Sequence, residues 1–113
     1  MKYKKTSWEK VDVKNVDPKV KQQVFATDNI MAVRYVYEPG LHFPEHSHPQ
    51  EQTTIVEKGR LIYSIDGEDV ELNAGEILTI KPNIKHGTVT PPDVTSVAIS
   101  IFTPVTETVV IEK

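Results

Sequence analysis

Cysteine is absent from this chain of 113 residues, which removes disulfides, thiolate metal sites and thiol nucleophiles together and leaves imidazole and oxygen as the available metal donors. A strong charge of either sign is absent too. Thirteen Lys and Arg stand against 16 Asp and Glu, a net charge of −3, which offers no electrostatic footprint for a polyanion and argues against nucleic acid as a partner. No apolar run approaches membrane-spanning length, and the segment from Met1 to Trp8 is charged and lacks the apolar stretch of a signal peptide. A cytoplasmic protein with no membrane partner is the expectation. Internal repeats and biased tracts are also missing, and 113 residues suit one domain, here taken as 1–113.

What the chain does have is turn residues at short intervals, the spacing of many short strands and hence of an all-β fold. Residues 30–37 (IMAVRYVY) are β-branched and aromatic enough for a strand, closed by Glu38-Pro39-Gly40. A second strand over 52–56 reaches a turn at Glu57-Lys58-Gly59. Beyond it, period-two alternation over 61–65 sets Leu61, Tyr63 and Ile65 on one face. Asp66-Gly67 predicts a type I′ hairpin, since both central residues need positive φ, and Val70 and Leu72 lie on the returning arm. Asn73-Ala74-Gly75 turns the chain into a short buried strand over 77–80, which Pro82-Asn83 breaks; Pro91-Pro92-Asp93 makes another corner. Residues 95–102 are apolar on both faces, as in a strand covered on both sides. Before residue 28 the pattern predicts strand, turn and coil, with Asp17-Pro18 able to start one helical turn; Thr108 to Ile111 is β-prone and suits an edge strand.

All four histidines fall near two turns: His42, His46 and His48 at the first, His86 at the second. Residues of equal parity share a strand face, so His46 and His48 can point together, and Gln52 rejoins them if the chain between stays extended. Glu51 then points away. His86, on a neighbouring strand, completes a set of three imidazoles and one amide oxygen that holds one divalent transition metal (Ni, Zn, Mn, Fe or Cu). The amide is neutral and leaves the full charge on the metal, which suits Lewis-acid work. His-x-His pairs also arise in turns by chance, so the pair alone is weak. His42 shares the ligands' parity but precedes Phe43-Pro44 in a loop; it is read either as a pocket-lining proton carrier or as an exposed histidine.

The pattern Gly40, His46-Ser47-His48, Gln52, Gly59, followed by Gly75, Pro82-Asn83 and His86, resembles the two motifs of the cupin superfamily, with Gln where Glu is usual and Pro82 displaced by one. The motifs fall within 40–59 and 75–86. The resemblance implies a single cupin barrel, a double-stranded β-helix or jelly roll, with metal ligands His46, His48, Gln52 and His86. HSHPQEQ, PNIKHG and Phe102-Thr103-Pro104 further resemble the small cupins of pectin and alginate breakdown that ketonise unsaturated uronates. In those, the resemblance implies catalytic roles for an Asp and an Arg at the positions of Ser100 and Thr106 and for Phe102, of which Phe102 alone carries over. Serine is no carboxylate base, and threonine cannot grip a carboxylate bidentately.

Three functions compete. One is a Lewis-acid enzyme acting on a small sugar- or uronate-like substrate, with His42, Arg34 or Tyr35 moving a proton and Phe102 in the site. Another is a metal-dependent dioxygenase of a small phenolic or diketone. The third is a small-ligand sensor without turnover. If Ser100 and Phe102 face inward, Val97, Ile99 and Ile101 face outward and need cover, which a homodimer provides; Trp8 and Tyr3 are candidates for that interface.

Overall fold

Ten strands follow one another almost without helix in the computed structural model, which describes residues 2–105. They are β1 (Lys14–Asp17), β2 (Val20–Ala26), β3 (Met31–Tyr37), β4 (His42–His46), β5 (Glu51–Lys58), β6 (Arg60–Ile65), β7 (Glu68–Asn73), β8 (Ile77–Ile80), β9 (His86–Val89) and β10 (Ser96–Thr103). Every pairing is antiparallel. One sheet has the order β1-β2-β3-β10-β5-β8 and the other β4-β9-β6-β7. Two such sheets packed face to face make a jelly-roll barrel. No helix among the described residues is long and apolar enough to cross a membrane.

The inner faces follow the alternation of the sequence. On β3, Met31, Val33, Tyr35 and Tyr37 are buried, and on β10 Ser96, Ala98, Ser100 and Phe102 are buried beside them. Leu61, Tyr63 and Leu72 close the core from the smaller sheet, and Tyr35 and Tyr37 stack at 5.2 Å between ring centres. Asp66 (φ 48°) and Gly67 (φ 83°) both take positive φ between β6 and β7, the type I′ requirement. Gly59 (φ 72°) joins β5 to β6 where a β-carbon would lie only 2.5 Å from Ser96 Oγ. The chain therefore needs glycine there for two separate reasons.

Several expectations need correction. Asp17-Pro18 starts no helix: Asp17 ends β1 and accepts the Lys19 amide in the hairpin turn to β2, while the helical turn is a short 3₁₀ piece at Trp8–Lys10. The strand at 77–80 is buried on one face only, where Ile80 joins the core and Leu78 packs against it. As β8 it pairs, among the described residues, with β5 alone at a sheet edge, and Ile77 is 64% exposed. The N-terminal arm lies on the outer face of the larger sheet, where Gln23 Nε2 donates to the carbonyls of Trp8 (2.7 Å) and Val11 (3.0 Å) and Lys4 sits over the Phe25 ring. Tyr3 is exposed. Thr106 and the β-prone stretch 108–111 lie outside the described residues.

Candidate metal centre

The site sits where β4 leaves one sheet, β5 enters the other and β9 runs alongside. His46 on β4 pairs directly with His86 on β9, and Gln52 on β5 pairs with Phe102 on β10. His48 is on no strand. Residues 47–50 form a corner that carries the chain between sheets, so convergence comes from that corner and not from one extended strand with constant parity. Asn83, in left-handed backbone at φ 65°, donates its amide to the His48 carbonyl at 2.8 Å and ties the corner to the loop before β9.

One nitrogen from each of His46, His48 and His86 lies within 4.8 Å of the others. Each ring sends its Nδ1 to a backbone carbonyl: His46 to Pro44 at 3.2 Å, His48 to Gln50 at 3.0 Å and His86 to Ile84 at 2.8 Å. A carbonyl only accepts, so each bond needs a proton on Nδ1, and in the neutral ring that leaves a lone pair on Nε2. Burial lowers the His86 pKa below 6.5, against the Ile84 carbonyl, which raises it, and with the two neighbouring imidazoles adding to the fall. The neutral, ligating form is favoured.

Gln52 is buried and brings its Oε1 to 3.2 Å from His48 Nε2, while its Nε2 donates to Thr54 Oγ1 at 3.1 Å. So oriented, an amide oxygen and the lone pair of a neutral His48 ring face each other with no proton between them. Such a contact is repulsive unless a cation lies close to both, and the donor set of three imidazole nitrogens and one carbonyl oxygen fits a divalent transition metal. Phe102, also buried, meets the His48 ring edge to face at 5.8 Å and walls the site.

Other candidates lie elsewhere. His42 faces outward and is exposed, on the opposite side of β4 from His46. The register explains the change. His42 pairs with Val89 and Phe43 with Thr88, yet His46 pairs with His86, so Pro44 and Glu45 together oppose Gly87 in a bulge. One extra residue inverts the parity and turns His46, not Glu45, inward. Gly87 makes room: a β-carbon there would lie 2.9 Å from the Phe43 carbonyl. Arg34 is on the outer face, bonding Gln23 Oε1 at 3.3 Å. Tyr35 is deep in the core, where burial pushes its phenol well above 10.0, partly offset by a hydrogen bond with Gln22; it stays protonated.

Sequence reasoning missed Thr54, Tyr63 and Gly87. Thr54 Oγ1 meets Gln52, Ser100 Oγ at 2.8 Å and the Tyr63 hydroxyl at 3.3 Å. A signal was available for Gly87 in Pro44, which has no N–H for the ladder and so marks a bulge within a strand.

The sequence profile of the Cupin domain matches residues 33–102. The chain belongs to the cupin family. Among solved structures, this cupin is similar to an RmlC-like cupin from Shewanella frigidimarina, with a TM-score of 0.83 and 25% identity over 90% of this chain and 91% of that one. It is similar also to KdgF from Halomonas sp., with a TM-score of 0.80 and 25% identity over 88% of this chain and 91% of that one. The polyketide cyclase RemF from Streptomyces resistomycificus shares the fold, with a TM-score of 0.77 and 18% identity over 95% of this cupin and 88% of RemF. No curated protein matches the sequence.

Proposed function

We propose that this cupin binds one divalent transition metal through His46, His48, His86 and the carbonyl oxygen of Gln52, and acts on a carbonyl or hydroxyl of a small sugar- or uronate-like substrate. The observation that carries the reading is the meeting of His48 Nε2 and Gln52 Oε1 at 3.2 Å, beside two further imidazoles. A bound metal in this all-neutral donor set supplies Lewis acidity at close to its full charge. The protein's own residues hold the donors: carbonyls of Pro44, Gln50 and Ile84 fix the rings, and Thr54 fixes the amide. Phe102 packs against His48 and keeps water from that side. Resemblance to the uronate-ketonising small cupins supports the substrate class.

Ser100 favours a second reading. It occupies the position where that resemblance implies an Asp, and it is fully buried with its hydroxyl bonded to Thr54, so no carboxylate stands there to move a proton. On this reading the barrel captures a small ligand and releases it unchanged. The two divide on one experiment. Metal content is measured by mass spectrometry after native purification, and the metal-loaded protein is given 4,5-unsaturated uronate. Metal-dependent loss of the substrate's ultraviolet absorbance supports the enzyme, and a ligand that raises the melting temperature but is recovered intact supports the sensor. Protein that stays metal-free and takes up no added Ni, Zn, Mn, Fe or Cu refutes both.

A homodimer belongs to the same proposal. Val36, Ile99 and Ile101 on β3 and β10, with Ile55 and the exposed Ile77 beside them, form an apolar patch on the outer face of the larger sheet, whereas Val97, expected to need cover there, is already buried within the chain. A second copy of the chain covers it.

A further inference from the structure

We infer that Thr54 is a positioning residue that holds the Gln52 side chain with its oxygen, and not its nitrogen, toward the three histidines. The inference rests on the metal reading above. An amide has two ends of nearly equal shape, and its orientation is decided by partners. Its short contacts are His48 Nε2 at 3.2 Å and Thr54 Oγ1 at 3.1 Å, and the Tyr63 hydroxyl is a further, weaker partner beside them.

The hydrogen count at Thr54 is closed. Its oxygen has one proton and two lone pairs. Gln52 Nε2 can only donate, and the Tyr63 hydroxyl donates as well, which uses both lone pairs. The remaining proton goes to Ser100 Oγ at 2.8 Å. The chain thus runs in one direction, from Gln52 through Thr54 to Ser100, and Tyr63 supports it from the opposite sheet. Gln52, Thr54, Tyr63 and Ser100 are all buried, so no solvent stands ready to replace a lost partner.

Removing the Thr54 hydroxyl acts unequally on the two states of the site. With metal bound, Oε1 faces the histidines and Nε2 needs an acceptor; a valine takes away the one at 3.1 Å and leaves only the weaker Tyr63 hydroxyl. Without metal, the amide turns over and gives its N–H to the His48 Nε2 lone pair, which places a donor where the metal belongs. Thr54→Val therefore weakens metal binding beyond any effect on the metal-free fold.

The test is a Co(II) titration of wild type, Thr54→Val and Thr54→Ser, following the visible d–d absorption, with melting temperatures with and without Co(II). Thr54→Val is expected to bind Co(II) ~10–100-fold more weakly, the range for loss of an outer partner of a ligand, with an altered absorption band and a smaller metal-induced rise in melting temperature. Thr54→Ser keeps the hydroxyl and is expected to match wild type in all three. Valine at position 54 with wild-type affinity and spectrum overturns the inference and leaves the metal reading standing; wild type that binds no Co(II) overturns both. Should Thr54→Val fail to fold, the zinc-loaded wild type decides. Its Gln52 side-chain amide protons should be slow to exchange with solvent, and free exchange refutes the bond to Thr54.

Discussion

Replacing Gly87 with alanine asks whether the bulge in β4 sets the proposed metal centre. A β-carbon there would lie 2.9 Å from the Phe43 carbonyl oxygen and 3.2 Å from the Glu45 nitrogen, where ordinary contact begins at 3.4 Å. Both atoms are backbone, so no side chain can swing aside and β4 must back away from β9 by roughly half an ångström, the gap between 2.9 Å and 3.4 Å. The next pair along that ladder is His46 opposite His86. Metal–ligand distances tolerate only ~0.2 Å, so a displacement more than twice as large is felt at the site. The expected cost is ~1–3 kcal/mol of stability and ~10-fold or more in Co(II) affinity. Gly59→Ala is the control. There the left-handed backbone costs ~1–2 kcal/mol, and the new carbon collides with Ser96 Oγ, which bonds the Arg60 amide at 3.1 Å and its carbonyl at 2.8 Å. Losing two bonds of ~1 kcal/mol each brings the total to ~3–4 kcal/mol. Yet Gly59 lies beyond the far end of β5 from Gln52, ~20 Å away at 3.3 Å per residue. Urea unfolding and Co(II) titration of the folded proteins should therefore separate the pair, Gly59→Ala losing more stability and Gly87→Ala more affinity. Gly87→Ala with wild-type affinity, or equal losses of affinity in both, refutes the reasoning.

Gln52→Glu adds a negative charge at the site while the hydroxyl chain reverses, Thr54 giving its proton to the carboxylate and Ser100 giving its own to Thr54; Co(II) should bind ~10-fold or more tightly, and weaker binding in the titration denies Gln52 a place among the donors. The pKa of His86 is lowered in the fold by burial and by its imidazole neighbours, so the unfolded chain takes up the proton first. Stability of the metal-free protein is then full above 6.5 and lost as pH falls through the folded-state value, with bound zinc holding the ring neutral and moving the loss to lower pH; urea midpoints that do not fall with acid, or that zinc does not shift, contradict this. Ile99→Asp places a charge in the middle of the outer apolar patch, between Arg34 and Ile55 on the adjacent strands. Light scattering should show a dimer for wild type and a monomer for the variant, and a monomeric wild type denies the interface.

Most of the strand pattern was legible because one face of each strand is packed and the other is not. β3 alternates without a break from Met31 to Tyr37, and the turn at Asp66-Gly67 is dictated by φ alone. β8 misled because ILTI is a run of apolar composition, and composition does not say whether a strand has one neighbour or two. Among the described residues its only neighbour is β5, so Ile77 is left at an edge. The segment before residue 28 was legible only in outline, since Gln22 and Gln23 interrupt the apolar pattern of β2 while both are buried, one inside the barrel and the other under the N-terminal arm.

The site was legible in its residues but not in its route. Parity along one extended strand brings His42, His46, His48 and Gln52 to a common face, and three of them do converge, though by a route the chain takes for other reasons. Two departures cancel: the bulge at Pro44-Glu45 shifts His46 relative to His42, and the corner at residues 47–50 moves the chain into the other sheet before Gln52. His42 precedes both departures and has nothing to restore it, so it ends outside. Thr54 was invisible for a different reason. A threonine in a β-branched strand needs no explanation from propensity, and only the closing of hydrogen-bond valences around a buried amide distinguishes one that positions a ligand from one that merely fills a sheet. Thr53, its neighbour, bonds Thr79 at 2.9 Å on the exposed face, with the same residue type, the same strand and no bearing on the histidines. Chemistry here is assigned by which side of the sheet a hydroxyl occupies, and that is a property of register, which a composition cannot carry.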